Sequence, residues 1–258
     1  MHIKSIVAIF MLIIIFASCR KSNSSASTCT PYTEPPDTYK YPILPGTPAW
    51  VALGTTEARW QACQVPADIL QATSTAGLAE SWLTMPLNNE LFSGNSLQKS
   101  MEYFIENFSG LKELVKRNDA AEKMFERYKL LNTSCVESYS NDADKGAFTF
   151  LFTYAGILMA QDTIINQMKA EQRKQVVAEA IKKIEEQQKY YDVYGKVGLE
   201  SCCFICARVM YNSRYELFLT SINPEIQWFL DNAQFQVPAA DHSREVNIII
   251  QSAKNFIY

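Results

Sequence analysis

Glycine and histidine are scarce in this sequence, and each scarcity excludes a class of chemistry. The 258 residues contain 9 glycines and 2 histidines, one of which is His2. No segment approaches the Gly-x-x-x-x-Gly-Lys-Ser/Thr pattern of phosphate-binding loops, and a histidine-rich metal site is excluded. The second histidine, His242, follows Asp241, but a polar run before a predicted helix is more typical of a capping region than of a catalytic triad. We therefore expect neither a metal nor another cofactor.

Clustered positive charge and long apolar runs are also lacking. The chain carries 24 Lys and Arg against 27 Asp and Glu, a net charge of −3. Proteins that bind nucleic acid concentrate Lys and Arg on one surface, so nucleic acid is excluded as a partner. An uninterrupted apolar run occurs at Ile6–Phe16, which is shorter than the roughly 18 residues that a membrane-spanning helix needs.

The N-terminus has the organisation of an export signal. A positive charge at Lys4 precedes the apolar run, and small residues follow it immediately before Cys19. The tetrapeptide Phe16-Ala17-Ser18-Cys19 resembles the lipobox of bacterial lipoproteins, although the family usually has Leu, Val or Ile where Phe16 stands. The resemblance implies removal of residues 1–18 and acylation of Cys19. The alternative is an ordinary secretory signal in which Cys19 is incidental.

The residues after Cys19 bear on location. Arg20 and Lys21 are neither the Asp of inner-membrane retention nor the acidic cluster of surface-exported lipoproteins in Bacteroidetes-type bacteria. In the lipoproteins that this N-terminus resembles, the lack of both signals favours the outer membrane on its periplasmic side. We therefore expect a cell-envelope protein that contacts the membrane through its lipid.

Residues 19–46 are predicted to be the lipidated cysteine and a tether. The segment is rich in Ser and Thr and contains Pro31, Pro35, Pro36, Pro42 and Pro45. Such a composition cannot bury enough apolar surface to offset chain entropy, so we expect an extended chain. Within it, Tyr39 and Tyr41 are expected to pack onto the first helices. The folded domain is predicted to span residues 47–258.

Capping signals and apolar spacing predict helices throughout this domain. Thr47-Pro48, Ser96 and Asn223-Pro224 are helix starts, and residues 169–194 carry an apolar stripe at helical spacing, with Gly195 as the expected end of that helix. Strands at regular spacing are not indicated. The predicted class is all-α. Of two arrangements, we prefer an irregular, solenoid-like stack of helix hairpins, with a compact multi-helix bundle as the alternative.

Part of the chain resembles a known group of proteins. The segments Tyr39–Trp50, Ala62–Pro66 and Ser74–Leu78 contain a Tyr-Pro-x-x-Pro-Gly step, a tryptophan helix and an Ala-Cys-Gln-x-Pro step. Together they resemble uncharacterised all-helical lipoproteins of Bacteroidetes-type bacteria over roughly residues 39–130. The resemblance implies a helical fold and export, and it implies no activity.

Six cysteines remain besides Cys19, and their pairing is open. They are Cys29, Cys63, Cys135, Cys202, Cys203 and Cys206, which allow 15 connectivities. Cys203 and Cys206 form a C-x-x-C pattern, and with Cys202 they lie within a predicted apolar helix. We predict buried core thiols there, with a structural disulfide as the main alternative and a redox or metal site as the least favoured.

Two features bear on function. Glu80-Ser81 resembles the catalytic Glu-Ser of lytic transglycosylases, but their downstream Gly-Leu-Met-Gln segment is matched only faintly at residues 156–161. Glu80 is expected to face solvent, and no catalytic residue is assigned. Tryptophan and tyrosine rings can form binding platforms, although the tryptophans at helical spacing are more typical of a core; they are Trp50, Trp60, Trp82 and Trp228.

We therefore expect a lipid-anchored, non-catalytic module that binds a protein or peptide. The alternative is a periplasmic hydrolase of cell-wall glycan on a helical scaffold. A surface groove rimmed by aromatic residues would favour the binding module. Glu80 in a deep cleft with a second acid would favour the hydrolase.

Overall fold

A computed structural model describes Cys29, residues 32–236 and residues 242–258. The predicted signal peptide, Cys19 and the first part of the predicted tether lie outside these residues. Throughout the described ranges the regular elements are helices without any strand, which confirms the all-α prediction. In the same ranges, every helix is too short or too polar to cross a bilayer.

The described residues form fourteen α-helices. In chain order they are α1 (Pro48–Ala52), α2 (Thr56–Ala62), α3 (Ala67–Ala72), α4 (Thr75–Leu83), α5 (Leu97–Asn107), α6 (Ser109–Leu114), α7 (Ala120–Leu130), α8 (Asp142–Met159), α9 (Asp162–Ile165), α10 (Ala170–Gln187), α11 (Tyr191–Asn212), α12 (Glu216–Leu219), α13 (Pro224–Asn232) and α14 (Ser243–Ile257). Short 3₁₀ helices lie at Asn88–Phe92, Thr133–Ser138 and Gln188–Tyr190.

Several helices begin where local capping chemistry places them. The Ser96 hydroxyl accepts the backbone N–H of Lys99 at 3.2 Å, and the Asn223 side chain accepts that of Ile226 at 2.8 Å. Each bond satisfies an N–H group that has no partner within the first helical turn. These starts of α5 and α13 agree with the sequence prediction.

Helices α8 and α11 form the centre of the domain. The C-terminal half of α8 and the part of α11 after Gly198 are largely buried, and the two helices pack against each other, with α10 and α14 also packed on α11. Gly156 permits the close approach, because a Cβ there would lie 3.3 Å from both the Cβ and the carbonyl oxygen of Ser201. On the other side, α4, α5 and α7 pack against α8.

The arrangement is the compact bundle, so the preferred solenoid-like stack is wrong. In a solenoid, each repeat contacts only its neighbours in sequence. Here α13 packs on α5, the Gln234 side chain donates to the carbonyl of Asn95 at 2.7 Å, and the buried apolar side chains form one continuous core. Contacts between such distant parts of the chain close the bundle on itself.

The predicted long helix over residues 169–194 divides in the structure. Helix α10 ends at Gln187, and α11 begins at Tyr191 after a 3₁₀ turn. Gly195 has a φ of 58° and a ψ of −163°, which are not helical, so the first helical stretch of α11 stops there, as predicted, and a second stretch follows. Glycine adopts this left-handed φ without the steric cost of a Cβ, so it marks a kink in α11.

Residues 32–46, which belong to the predicted tether and are here called the N-terminal segment, lie on the domain. Asp37 accepts the backbone N–H of Ser74 at 2.6 Å. The backbone N–H of Tyr39 donates to the Ser81 hydroxyl at 2.9 Å, and the Tyr41 hydroxyl donates to the Ser81 carbonyl at 2.8 Å. The two tyrosines therefore pack on the domain as expected, against α4.

A disulfide joins Cys29 to Cys135 across 106 positions of sequence. The composition of the N-terminal segment predicted an extended chain, because the segment cannot form a core of its own. In the structure the N-terminal segment lies on a surface of the rest of the domain, which provides both its hydrogen-bond partners and its apolar contacts.

Candidate functional site

Glu80 is buried, contrary to the expectation that it faces solvent. It lies on α4, which packs against α6, α7 and α8, and its relative exposure is 5%. Arg127 Nε donates to Oε2 at 2.6 Å and Arg127 Nη2 to Oε1 at 3.4 Å. The Tyr32 hydroxyl also donates to Oε2 at 3.0 Å, so both carboxylate oxygens are engaged.

This environment is that of a structural ion pair. The Arg127 guanidinium lies over the Tyr32 ring, 3.8 Å from its centroid, and burial together with the Glu80 carboxylate raises the pKa of Tyr32, which keeps the phenol a donor. Ser81, the other half of the Glu-Ser pair, donates to the Gly77 carbonyl at 2.7 Å. A general acid must reach the substrate with its proton, and Glu80 is held away from solvent by a cation and a phenol.

His242 lies immediately before α14, as predicted, but its side chain does not cap the helix. Its ring stacks on Phe235 with a centroid separation of 4.6 Å, and Phe235 stacks on Phe229 at 4.2 Å. The imidazole therefore takes part in ring packing.

The C-x-x-C cysteines are core thiols, as predicted. Cys202, Cys203 and Cys206 are free and fully buried, and burial raises the pKa of all three thiols. Within the part of the chain that the structure describes, the acidic, histidine and cysteine side chains form no group of three that could hold a metal ion. The thiols lack both the exposure and the lowered pKa that reactive cysteines need.

The four tryptophans divide between the core and the surface. Trp82 is fully buried and its indole N–H donates to the Tyr154 carbonyl at 3.3 Å, which agrees with the core prediction. Trp50 and Trp60 are only partly buried against the core. Trp228 is 38% exposed, so for this residue the core prediction is wrong.

Trp60 and Trp228 line a surface cavity of about 610 Å³, here called the aromatic groove. Its walls come from α2, from the loop and first turns of α5, and from α13. The lining residues are Trp60, Glu90, Gly94, Asn95, Ser96, Lys99, Ser100, Tyr103, Phe104, Trp228 and Asn232. Most of the polar lining is uncharged, and a single carboxylate is present.

The rings of the aromatic groove are held by packing. Trp60 meets Tyr103 edge to face, with centroids 5.5 Å apart and planes at 83°, and lies 4.8 Å from Phe104. Trp60 and Tyr103 also line a second cavity of about 250 Å³. The two cavities therefore share these two aromatic residues as a common wall.

Long-range contacts fix the polar side of the aromatic groove. The Gln234 side chain donates a hydrogen bond to the Asn95 carbonyl, and the Ser96 hydroxyl donates to the carbonyl of Asn232 at 3.4 Å. Gly94 lies close to Ser100 in this loop, and a Cβ there would be 2.5 Å from the Ser100 hydroxyl oxygen, so the Ser100 side chain would have to move. The loop is thus joined to the C-terminal part of the chain, and the groove is formed in advance of any ligand.

Several donor groups on residues that line the aromatic groove have no partner among the described residues. The indole N–H groups of Trp60 and Trp228, the Tyr103 hydroxyl and the Lys99 ammonium make no hydrogen bond to any residue that the structure describes. Polar groups in a binding site fix the orientation of a ligand. The groove therefore offers aromatic surface together with free donors.

Sequence reasoning named Trp60 and Trp228 as possible platform residues but missed Tyr103 and Lys99. Tyr103 lies beside the apolar stripe that includes Met101 and Phe104 on α5, and it is 54% exposed. An aromatic residue off the buried stripe of an amphipathic helix was the signal available. The loop residues Gly94, Asn95 and Ser96 gave no such signal in the sequence, because their role depends on contacts with the C-terminal part of the chain.

Comparison of the chain with protein-family models, curated proteins and solved structures finds no match. The resemblance to envelope lipoproteins therefore stays a prediction.

Proposed function

We propose that this chain is a lipid-anchored, non-catalytic module of the cell envelope that binds a segment of a partner protein in the aromatic groove. The observation that carries the proposal is the combination of a partly buried ring from α2 and exposed rings from α5 and α13 with donors that no described residue engages. Trp and Tyr combine apolar contact area with a polar tip, and both are enriched at protein interfaces.

Two features support the envelope as the location. The N-terminal sequence has the order of an export signal followed by a lipobox-like Cys19. The disulfide between Cys29 and Cys135 belongs to an oxidising compartment, since cytosolic proteins keep their thiols reduced. Both features are compatible with the periplasmic side of the outer membrane.

The alternative, a glycan hydrolase, has less support. Its candidate acid, Glu80, is engaged by Arg127 and Tyr32. In the aromatic groove, Glu90 accepts a hydrogen bond from Ser93 at 2.6 Å, and no second carboxylate lines that cavity. Glycosidases act with two carboxyl groups on either side of the scissile bond.

Site-specific photo-crosslinking in intact envelopes tests the binding role. A photoreactive residue replaces Lys99 in the aromatic groove or, as a control, the exposed Lys189 near the start of α11. We expect a discrete protein adduct from position 99 that disappears when Trp228→Ala is added. Equal adducts from positions 99 and 189, or an adduct insensitive to Trp228→Ala, would contradict a binding role for the groove.

The anchor is tested separately by replacing Cys19 with Ala. The change removes the thiol that would be acylated, so we expect loss of labelled fatty acid from the protein and its release from the membrane fraction. Undiminished labelling of the variant would show that Cys19 is not the acylated residue.

A further inference from the structure

We infer that the start of α11 lies on the surface of a zwitterionic lipid bilayer, with Tyr191, Val193 and Val197 in the contact. These three side chains are here called the α11 apolar surface. The inference rests on the lipid anchor of the proposed function and specifies which side of the domain faces the membrane.

The first argument is the point at which the N-terminal chain joins the domain. Cys29 is bonded to Cys135, which belongs to the 3₁₀ helix Thr133–Ser138, and Cys19 stands only ten positions before Cys29. A lipid on Cys19 therefore pulls on the domain at Cys135. The side of the domain around Cys135 is the side that such an anchor draws toward the bilayer.

Cys135 is held firmly by the helices behind it. The ammonium of Lys183, a residue that is only 1% exposed, donates to the Leu131 carbonyl at 2.7 Å. The hydroxyl of the buried Tyr194 donates to the Thr133 carbonyl at 2.8 Å. Breaking buried hydrogen bonds leaves polar groups unpaired, which is costly. The crosslink is therefore attached to a fixed part of the domain, and the anchor selects one side of it.

The start of α11 lies beside this crosslinked 3₁₀ helix. Besides the contact between Tyr194 and Thr133, the Tyr190 hydroxyl donates to the Glu137 carboxylate at 3.3 Å. These contacts at both ends of the 3₁₀ helix place the first turn of α11 next to the crosslink. The α11 apolar surface is thus on the side that the anchor draws toward the bilayer.

The second argument is the exposure of the α11 apolar surface. Tyr191 is 53% exposed, Val193 37% and Val197 38%. Nowhere else in the described ranges does a stretch of seven positions expose three large apolar side chains. Grouped apolar side chains on a protein surface mark sites that a protein or a membrane covers. Because this group lies beside the crosslink, the bilayer is the surface that covers it.

The third argument concerns charge, which specifies the kind of lipid. Lys189, Asp192, Lys196 and Glu137 are all exposed around the α11 apolar surface, so both signs are present in equal number. Attraction to anionic lipid needs clustered Lys and Arg, which this side does not offer. Tyr and Lys combine an apolar part with a polar tip and suit the zone between headgroups and acyl chains. The surface therefore fits zwitterionic headgroups.

Photo-crosslinking on vesicles tests the inference. The chain of residues 19–258 is coupled through Cys19 to a maleimide lipid in phosphatidylcholine vesicles, which supplies an anchor whether or not cells acylate Cys19. The coupling is selective, because the other free thiols are buried. A diazirine-bearing residue replaces Val193 or, as a control, Leu217, which is 59% exposed on α12 beyond the opposite end of α11. We expect phospholipid adducts by mass spectrometry at position 193 and not at position 217.

Matched charge variants test whether the apolar side chains make the contact. With the photoreactive residue at position 191, Val193→Asp should remove most of the lipid adduct, because a carboxylate is costly to transfer from water. Leu217→Asp makes the same kind of change on an exposed apolar residue away from the crosslink and should leave the yield unchanged. Replacing part of the phosphatidylcholine by phosphatidylglycerol should not raise the yield. Circular dichroism verifies that each variant keeps the helical fold.

The outcomes separate the orientation of the domain from its anchor. Equal lipid adducts at positions 193 and 217, no lipid adduct at position 193, adducts between two copies of the chain, or adducts that require anionic lipid would overturn the inference. If one of these occurs while Cys19→Ala abolishes acylation in cells, the anchor stands and only the orientation is wrong. If Cys19 is not acylated in cells, the anchor and the inference that rests on it fail together.

Discussion

The buried pair of Glu80 and Arg127 offers a quantitative test of how this domain is held together. Their side chains are 6% and 8% exposed, and the closest atoms are 2.6 Å apart. Removing one partner of such a pair leaves the other charge buried without compensation, which typically costs 3–5 kcal/mol. In Glu80→Gln, the Arg127 guanidinium keeps its contact with the Tyr32 ring, so we expect a loss of about 3 kcal/mol in the free energy of unfolding.

The chain contains a matched surface pair for comparison. In this pair, Arg117 Nε likewise lies 2.7 Å from a carboxylate oxygen of Glu113, but the two side chains are about 30% exposed. Solvent screens such a pair, and exposed pairs at this helical spacing contribute about 0.5 kcal/mol or less. Glu113→Gln should therefore change the free energy of unfolding far less than Glu80→Gln, although both substitutions are chemically identical.

Urea denaturation at one pH and ionic strength measures both variants, provided that the slopes of the transitions agree. Adding Arg127→Met to Glu80→Gln removes the uncompensated charge, so the double variant should lose less stability than the sum of the single changes. Equal losses for Glu80→Gln and Glu113→Gln would refute the structural role of burial. Unchanged stability combined with lost peptidoglycan digestion in Glu80→Gln would instead support the hydrolase.

Two further predictions concern the cysteines. Cys29→Ser removes a crosslink over 106 positions and should cost about 4–5 kcal/mol by the chain-entropy relation; thermal denaturation with and without reductant checks this, and an unchanged midpoint would contradict it. In the native protein, alkylation of Cys202, Cys203 and Cys206 should be slow because their burial raises the pKa of each thiol. Mass spectrometry before and after unfolding measures the rates, and fast native labelling would count against core thiols.

The elements that could be predicted from the sequence depend on neighbours in the chain. The caps at Ser96 and Asn223 act on residues three positions away, so their signal is local. The burial of Glu80 depends on Arg127 and Tyr32, which are 47 and 48 positions distant. An isolated helix carries no sign of such partners, which is why Glu80 was expected to face solvent.

The candidate site likewise could not be predicted from local sequence alone. Trp60 and Trp228 stand out by residue type, but a groove exists only because α13 packs on α5. Likewise, Cys29 and Cys135 could be counted but not paired, since their proximity requires the N-terminal segment to lie along the domain. Local patterns predicted the helices, while the site and the crosslink follow from tertiary packing.

The crosslink at Cys29 also determines how far the domain can stand from the bilayer. If Cys19 carries the lipid, about ten residues separate the anchor from the crosslink, a covalent path of at most roughly 35 Å. A tether that continued to residue 46 would have allowed roughly 95 Å. On that condition, the shorter path keeps the crosslink at Cys29, and the domain attached to it, close to the membrane, where its effective concentration toward another membrane-bound protein is high. A partner embedded in or attached to the same membrane would therefore be captured more readily than one free in the periplasm.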